Sequence, residues 1–169
     1  TMADFDAFVA EAHRLGLKVL LDWVANHTAR DARWIAEEPA SWYERDPSGQ
    51  PAVPWDWSDT AKLNYGNRDV WRAQADAMEF WITQHAVDGF RCDMAMLVPV
   101  GFWNETSRRL RQVKPDLFML AEAEEPNLFE EGAFDACYAW QMHHLMNDVA
   151  RQQTRVTALR DYIYNDRNA

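Results

Sequence analysis

The sequence predicts an α/β fold with a parallel sheet, laid out as in an α/β barrel, and three observations carry that reading. Three short apolar runs each end on a single carboxylate: Val19-Leu20-Leu21-Asp22, Gly89-Phe90-Arg91-Cys92-Asp93 and Phe118-Met119-Leu120-Ala121-Glu122. Segments of helical periodicity separate them, so strands and helices alternate along the chain. Leu17 to Trp23 shows no apolar–polar alternation, as expected of a parallel strand covered on both faces. In such a fold, residues at the carboxyl ends of the strands converge on one site.

The elements follow in order. Residues 4–15 place Phe5, Phe8, Ala12 and Leu15 on one helical face, and Gly16 suits a C-terminal cap. Leu17 to Trp23 reads as a compact buried strand. Residues 24–66 change character, with Pro39, Pro47, Pro51, Pro54, several Trp and little periodicity. So long a stretch inside a compact domain is usually functional, and it reads as an excursion from the top of the sheet. Asn67 is the expected N-cap of a helix whose inner face runs Trp71, Ala75, Met78, Ile82, His85. Asp88 to Asp93 is the second strand. Phe102 to Val113 is a helix with Phe102, Thr106, Leu110 and Val113 inward, stopped by Pro115. Leu117 to Ala121 is the third strand. A short helix over 127–131, a fourth strand over Phe134 to Tyr138 and a helix over 141–153 complete the chain. Right-handed crossovers between successive strands make the sheet parallel.

The 169 residues, 48% of them apolar, are expected to form one globular domain with a sizeable core. The net charge of −10 argues against nucleic acid or an acidic membrane surface as a partner. No window approaches the ~20 apolar residues of a membrane span, and no signal segment opens the chain. Nothing in the sequence sets an oligomeric state. Cys92 and Cys137 both lie in apolar, strand-like contexts and are expected as buried thiols rather than a disulfide, without metal-site spacing. His143 and His144 belong to an expected surface helix.

Converging carboxylates are what cleavage of a glycosidic bond needs, and the residues around them match a family. Asp22-Trp23-Val24-Ala25-Asn26-His27 resembles the first signature of glycoside hydrolase family 13, the α-amylase family, written D-x-x-x-N-H. Gly89-Phe90-Arg91-Cys92-Asp93 resembles the second, G-F-R-x-D, and Glu122 sits where the third places its Glu. Leu63-Asn64-Tyr65 is similar to the segment that closes the family's inserted B domain. The resemblance implies a partial (β/α)8 TIM barrel, about its third to sixth strands, with residues 24–66 as the B-domain-like insertion. Residues 1–169 then read as an internal fragment of one catalytic barrel domain, which typically needs ~250 residues. The family's N-H-D signature, with its third catalytic Asp, is not in the sequence. With four strands and two open edges, the fragment is expected to be inactive alone and prone to associate.

The implied function is a retaining α-glycosidase acting on α-glucosidic bonds of glucans or oligosaccharides. The alternatives are a transglycosylase or isomerase of the same family, or a non-catalytic barrel that binds. Asp93 would be the nucleophile that forms a covalent glycosyl intermediate. Glu122 would be the general acid and then base, with Glu124 and Glu125 as competitors. Arg91, two residues before Asp93 on an extended strand, points to the same side and supplies a fixed cation. Asp22 is expected to support Arg91, and both join His27, the sugar-binding histidine of the motif, in the substrate-binding set. The chemistry needs no cofactor. Asn26 matches a residue that ligates a structural calcium in many members. Met96 and Leu97 stand where the family often has Lys-His, which removes a sugar-contacting Lys and a position associated with calcium. Most of the nine Trp are expected in the core, and exposed ones could stack on apolar sugar faces.

Overall fold

The structure, a computed structural model, describes residues 1–166. They form two compact units, one over residues 1–137 and one from Tyr138 onward. Helix α1 (Met2–Arg14) opens the first unit, capped by a reciprocal pair of hydrogen bonds between Thr1 and Asp4. Its buried stripe is Phe5, Val9 and Ala12, packed on Val19. Phe8 and Leu15 are exposed, contrary to expectation. The helical spacing admits both stripes, and Val9 sits on the one that faces Val19.

Strands β1 (Leu20–Trp23), β4 (Gly89–Cys92), β5 (Phe118–Ala121) and β6 (Ala136–Cys137) form one parallel sheet in the order β1-β4-β5-β6. Helix α3 (Arg68–His85), capped by Asn67, and helix α4 (Val100–Val113) make the crossovers. They cover one face only. There, Phe90, Cys92, Met119 and Ala121 are fully buried with Met78, Ile82, Phe102, Trp103 and Leu110. The other face carries Arg91 and Leu120, which are half-buried, and Asp22, which is exposed. The expected burial on both faces is therefore corrected. Leu20, Leu21 and Trp23 are half-buried too, because β1 is an edge of the sheet.

The register explains two residues. Gly89 lies against Phe118, and a Cβ there would come within 1.8 Å of the Phe118 carbonyl oxygen, so the strands meet only over glycine. Gln74 is buried on α3, where its Oε1 accepts the Trp23 indole N–H at 2.9 Å. On α4 the buried face is Phe102, Trp103, Thr106, Ser107 and Leu110, while Val113 is exposed at the helix end. A 3-10 turn over Pro126–Leu128 replaces the expected helix at 127–131. Cys92 is buried as expected, but Cys137 is exposed on the outermost strand, where no further strand covers it.

The excursion between β1 and α3 is better organised than its composition suggested. Strands β2 (His27–Ala29) and β3 (Thr60–Lys62) pair antiparallel, and helix α2 (Arg33–Glu37) lies between them in sequence. Trp42, Tyr43, Ala61 and Leu63 form a small core of their own against Val70 of α3. The second unit holds helix α5 (Trp140–Ala150), with His143 and His144 exposed, and helix α6 (Thr157–Asp166), which the sequence reading did not anticipate. Among the described residues, no helix is long and apolar enough to cross a membrane.

Candidate active site

Asp93 and Glu122 are the residues immediately beyond β4 and β5. The register that sets Cys92 opposite Ala121 continues through them, with Glu122 N–H donating to the Cys92 carbonyl at 3.0 Å. They therefore stand side by side at the carboxyl end of the sheet. Arg91 lies one pleat below Asp93 and opposite Asp22. Its guanidinium gathers all three carboxylates: Nη1 donates to Asp22 Oδ1 and Asp93 Oδ1, each at 2.8 Å, and Nη2 pairs with Glu122 Oε1 at 2.6 Å. The forked geometry of arginine suits this, since its N–H groups spread in one plane. Asp93 is 23% exposed and Glu122 17%, so the cluster is partly desolvated yet reachable.

The loop after β4 is drawn onto Glu122. Met94 adopts a left-handed backbone, φ 41°, a strained conformation for a residue with a side chain. In that conformation its N–H donates to Glu122 Oε2 at 3.0 Å, and Ala95 N–H donates to the Glu122 carbonyl at 3.2 Å. The Ala95 carbonyl in turn takes the buried Trp103 indole N–H at 2.9 Å. Glu125 is turned back onto the Glu124 N–H at 3.0 Å and lies exposed, so of the three candidate glutamates it is Glu122 that the fold brings to Asp93. Met94 escaped sequence reading, because a backbone donor leaves no mark in residue type.

His27 begins β2 and comes close enough to Asp93 to feel its charge. Burial pushes its imidazole below the ordinary histidine range, against the opposing pull of Asp93 and Asp59, which favours a neutral ring. The Asn26 amide lies 3.3 Å from Nδ1. With the amide donating, Nε2 is left as the ring's own donor. Leu63-Asn64-Tyr65 proves to be the clamp on this motif. Leu63 N–H donates to the Asn26 carbonyl at 3.1 Å, and the Tyr65 hydroxyl donates to the Ala25 carbonyl at 2.7 Å. Burial raises the Tyr65 phenol well above its usual range, so it stays a donor.

Asn26 is buried, and its Nδ2 rather than its Oδ1 lies on His27. A structural calcium there would take the Oδ1 together with further oxygen donors. Cys92 is inert here, because full burial raises its thiol far above the usual range.

Residues 1–60 and 41–166 match the family model described as the catalytic domain of alpha amylase. The chain belongs to the alpha-amylase family. Among curated alpha-amylase-family relatives, alpha-amylase MalA of Haloarcula japonica is 36% identical over 144 residues, covering 80% of this chain and 21% of that protein. The alpha-1,4-glucan:maltose-1-phosphate maltosyltransferase of Arcanobacterium haemolyticum is 35% identical over 129 residues, covering 73% of this chain and 18% of that protein. The chain thus spans about a fifth of the length of these relatives. The crystal structure of an alpha-amylase from Lactobacillus plantarum superposes with a TM-score of 0.89 at 33% identity, over 98% of this chain and 42% of that one. The parallel sheet is accordingly part of an alpha-amylase-type barrel.

Proposed function

We infer that the protein containing this chain cleaves α-glucosidic bonds of glucans or oligosaccharides with retention of configuration. One observation carries this: Asp93 and Glu122 stand in register at adjacent strand ends, gathered on one guanidinium, with His27 beside them. Asp93 attacks the anomeric carbon, and the bond to the leaving oxygen breaks as Glu122 gives that oxygen a proton. Water then attacks the glycosyl–Asp93 ester while Glu122 takes its proton back, which releases the sugar with its original configuration. Arg91 and Asp22 hold the pair in place, and neutral His27 donates to a hydroxyl of the sugar being cleaved.

The test is the full-length protein on maltooligosaccharides beside Asp93→Asn. The expected result is an α-configured product by NMR and a loss of about 10⁴-fold or more in kcat in the variant. Activity that survives the substitution would mean that the nucleophile lies elsewhere. Silence from both proteins would favour a binding barrel. The likeness to a maltosyltransferase supports a second reading, transfer of the glycosyl group to a sugar acceptor instead of water. Product analysis with and without added maltose separates the two.

A further inference from the structure

Behind the turn that follows β4 stands Trp103, on α4. Its side chain is fully buried, with the indole 4.9 Å from the Phe102 ring and 5.3 Å from the Phe134 ring, both in edge contact. Two such contacts fix the plane of the ring. The indole N–H donates to the Ala95 carbonyl at 2.9 Å, eight residues back along the chain. The same carbonyl accepts Val98 N–H at 3.3 Å, and Leu97 N–H donates to the Met94 carbonyl at 2.9 Å. The turn over residues 94–98 is therefore closed by its own backbone and tied to α4 through the Trp103 indole.

That tie bears on Glu122. Met94 sits in the left-handed region, φ 41° and ψ 49°, at a cost of about 1–3 kcal/mol. Such a conformation persists only where the surroundings hold it. Here two successive N–H groups are committed to one residue: Met94 N–H to Glu122 Oε2 at 3.0 Å, and Ala95 N–H to the Glu122 carbonyl at 3.2 Å. Ala95 is the link. Its N–H grips the backbone of Glu122, and its carbonyl is gripped by Trp103. A turn released from α4 relaxes out of the left-handed region, and that relaxation withdraws the Met94 N–H from the carboxyl. If Trp103 did no more than satisfy a buried indole donor, the strain at Met94 would have nothing outside the turn to hold it.

We propose that Trp103 is a positioning residue for Glu122. Acting through Ala95 and Met94, it holds the carboxyl at the angle from which the proton reaches the leaving oxygen. It touches neither the substrate nor the reacting atoms. The inference rests on the reading of Glu122 as the general acid. Asp93 has separate supports, Arg91 Nη1 at 2.8 Å and its own N–H on the Trp23 carbonyl at 3.0 Å. Loss of the Trp103 tie therefore weakens proton transfer and spares nucleophilic attack.

The experiment uses the full-length protein with Trp103 replaced site-specifically by its benzothiophene analogue, which keeps the shape of the ring and lacks the N–H. Two substrates are compared by kcat/KM, which reports the step that breaks the glycosidic bond. Maltohexaose has a sugar leaving group that needs a proton, whereas α-maltosyl fluoride expels fluoride without one. The analogue is expected to lower kcat/KM about tenfold on maltohexaose and less than about twofold on the fluoride. Glu122→Gln should show the same split more strongly, with a loss of about 10²–10⁴-fold on maltohexaose. Equal losses on both substrates in the analogue, or none on either, would overturn the role of Trp103 and leave the general acid standing. Full activity of Glu122→Gln on maltohexaose would overturn the general-acid reading and this inference with it.

Discussion

Strand β4 is flanked by two charge clusters of opposite design. At its carboxyl end, one cation, Arg91, holds three carboxylates, Asp22, Asp93 and Glu122. At its amino end, one carboxylate, Asp88, is held by a histidine and two cations: His13 Nε2 at 2.7 Å, Lys18 Nζ at 3.0 Å and Lys114 Nζ at 3.7 Å. Val19 N–H also donates to Asp88 at 2.9 Å. Both Asp88 oxygens are engaged, and the side chain is only 5% exposed. Burial alone would raise its pKa. The hydrogen bonds from Val19, His13 and Lys18 outweigh that and hold it at about 2. The lower cluster is closed and ties α1, β1 and α4 to the strand. The upper one shares a single guanidinium among three acids and is more open, with Asp93 23% and Glu122 17% exposed. In barrels of this kind the carboxyl end of the strands carries chemistry and the amino end carries stability.

Arg91→Lys should break the upper cluster most. An ammonium has no planar fork and cannot reach three carboxylates at once, so the full-length enzyme is expected to lose about 10²-fold in kcat. The thermal midpoint should move little, because Asp22, Asp93 and Glu122 can turn to water. Full activity in that variant would show that the guanidinium geometry is not needed to set the catalytic pair.

Asp88→Asn should do the reverse, costing about 3 kcal/mol of stability by stranding the cations around it while leaving kcat at 25 °C unchanged. The pH dependence has a fixed sign. Asp88 is more acidic folded than unfolded, so its contribution is complete above about pH 4, near the unfolded carboxyl value. It fades as pH falls toward about 2. The depression of its pKa corresponds to about 2 kcal/mol. The gap in unfolding free energy between variant and wild type should therefore narrow by about 1 kcal/mol from pH 7 to pH 3. A gap that stays constant with pH would mean that Asp88 acts by shape and not by charge.

The same two ends show what could be read from the sequence. The carboxyl end was legible, because a strand-terminal acid after an apolar run and an Arg two residues before Asp93 are local patterns. The amino end was not: His13 and Lys18 lie 70 or more residues from Asp88, and only the register of β1 on β4 brings them together. The buried stripe of α1 was misread because Phe8 and Val9 compete for adjacent faces of one helix, and only the partner strand decides between them. The pairing of Arg91 with Asp22 was legible from the strand alternation, and the two form the charged row of the face the helices do not cover.

Met94 is the finest contrast between the two ends, since the lower cluster holds no residue of positive φ while the upper one is built on one. Met94→Gly removes the steric cost of the left-handed backbone, about 1–3 kcal/mol, but returns roughly 0.5–1 kcal/mol of chain entropy. A net gain in stability of about 0–2.5 kcal/mol is expected. The N–H that fixes Glu122 Oε2 would then hang on a softer loop, so kcat should fall by about threefold or less, with KM unchanged. A stability loss larger than about 1 kcal/mol would show instead that the Met94 side chain, not its backbone, is what the site keeps. A rise in kcat would mean that the strained N–H restrains Glu122 where the reaction needs it to move.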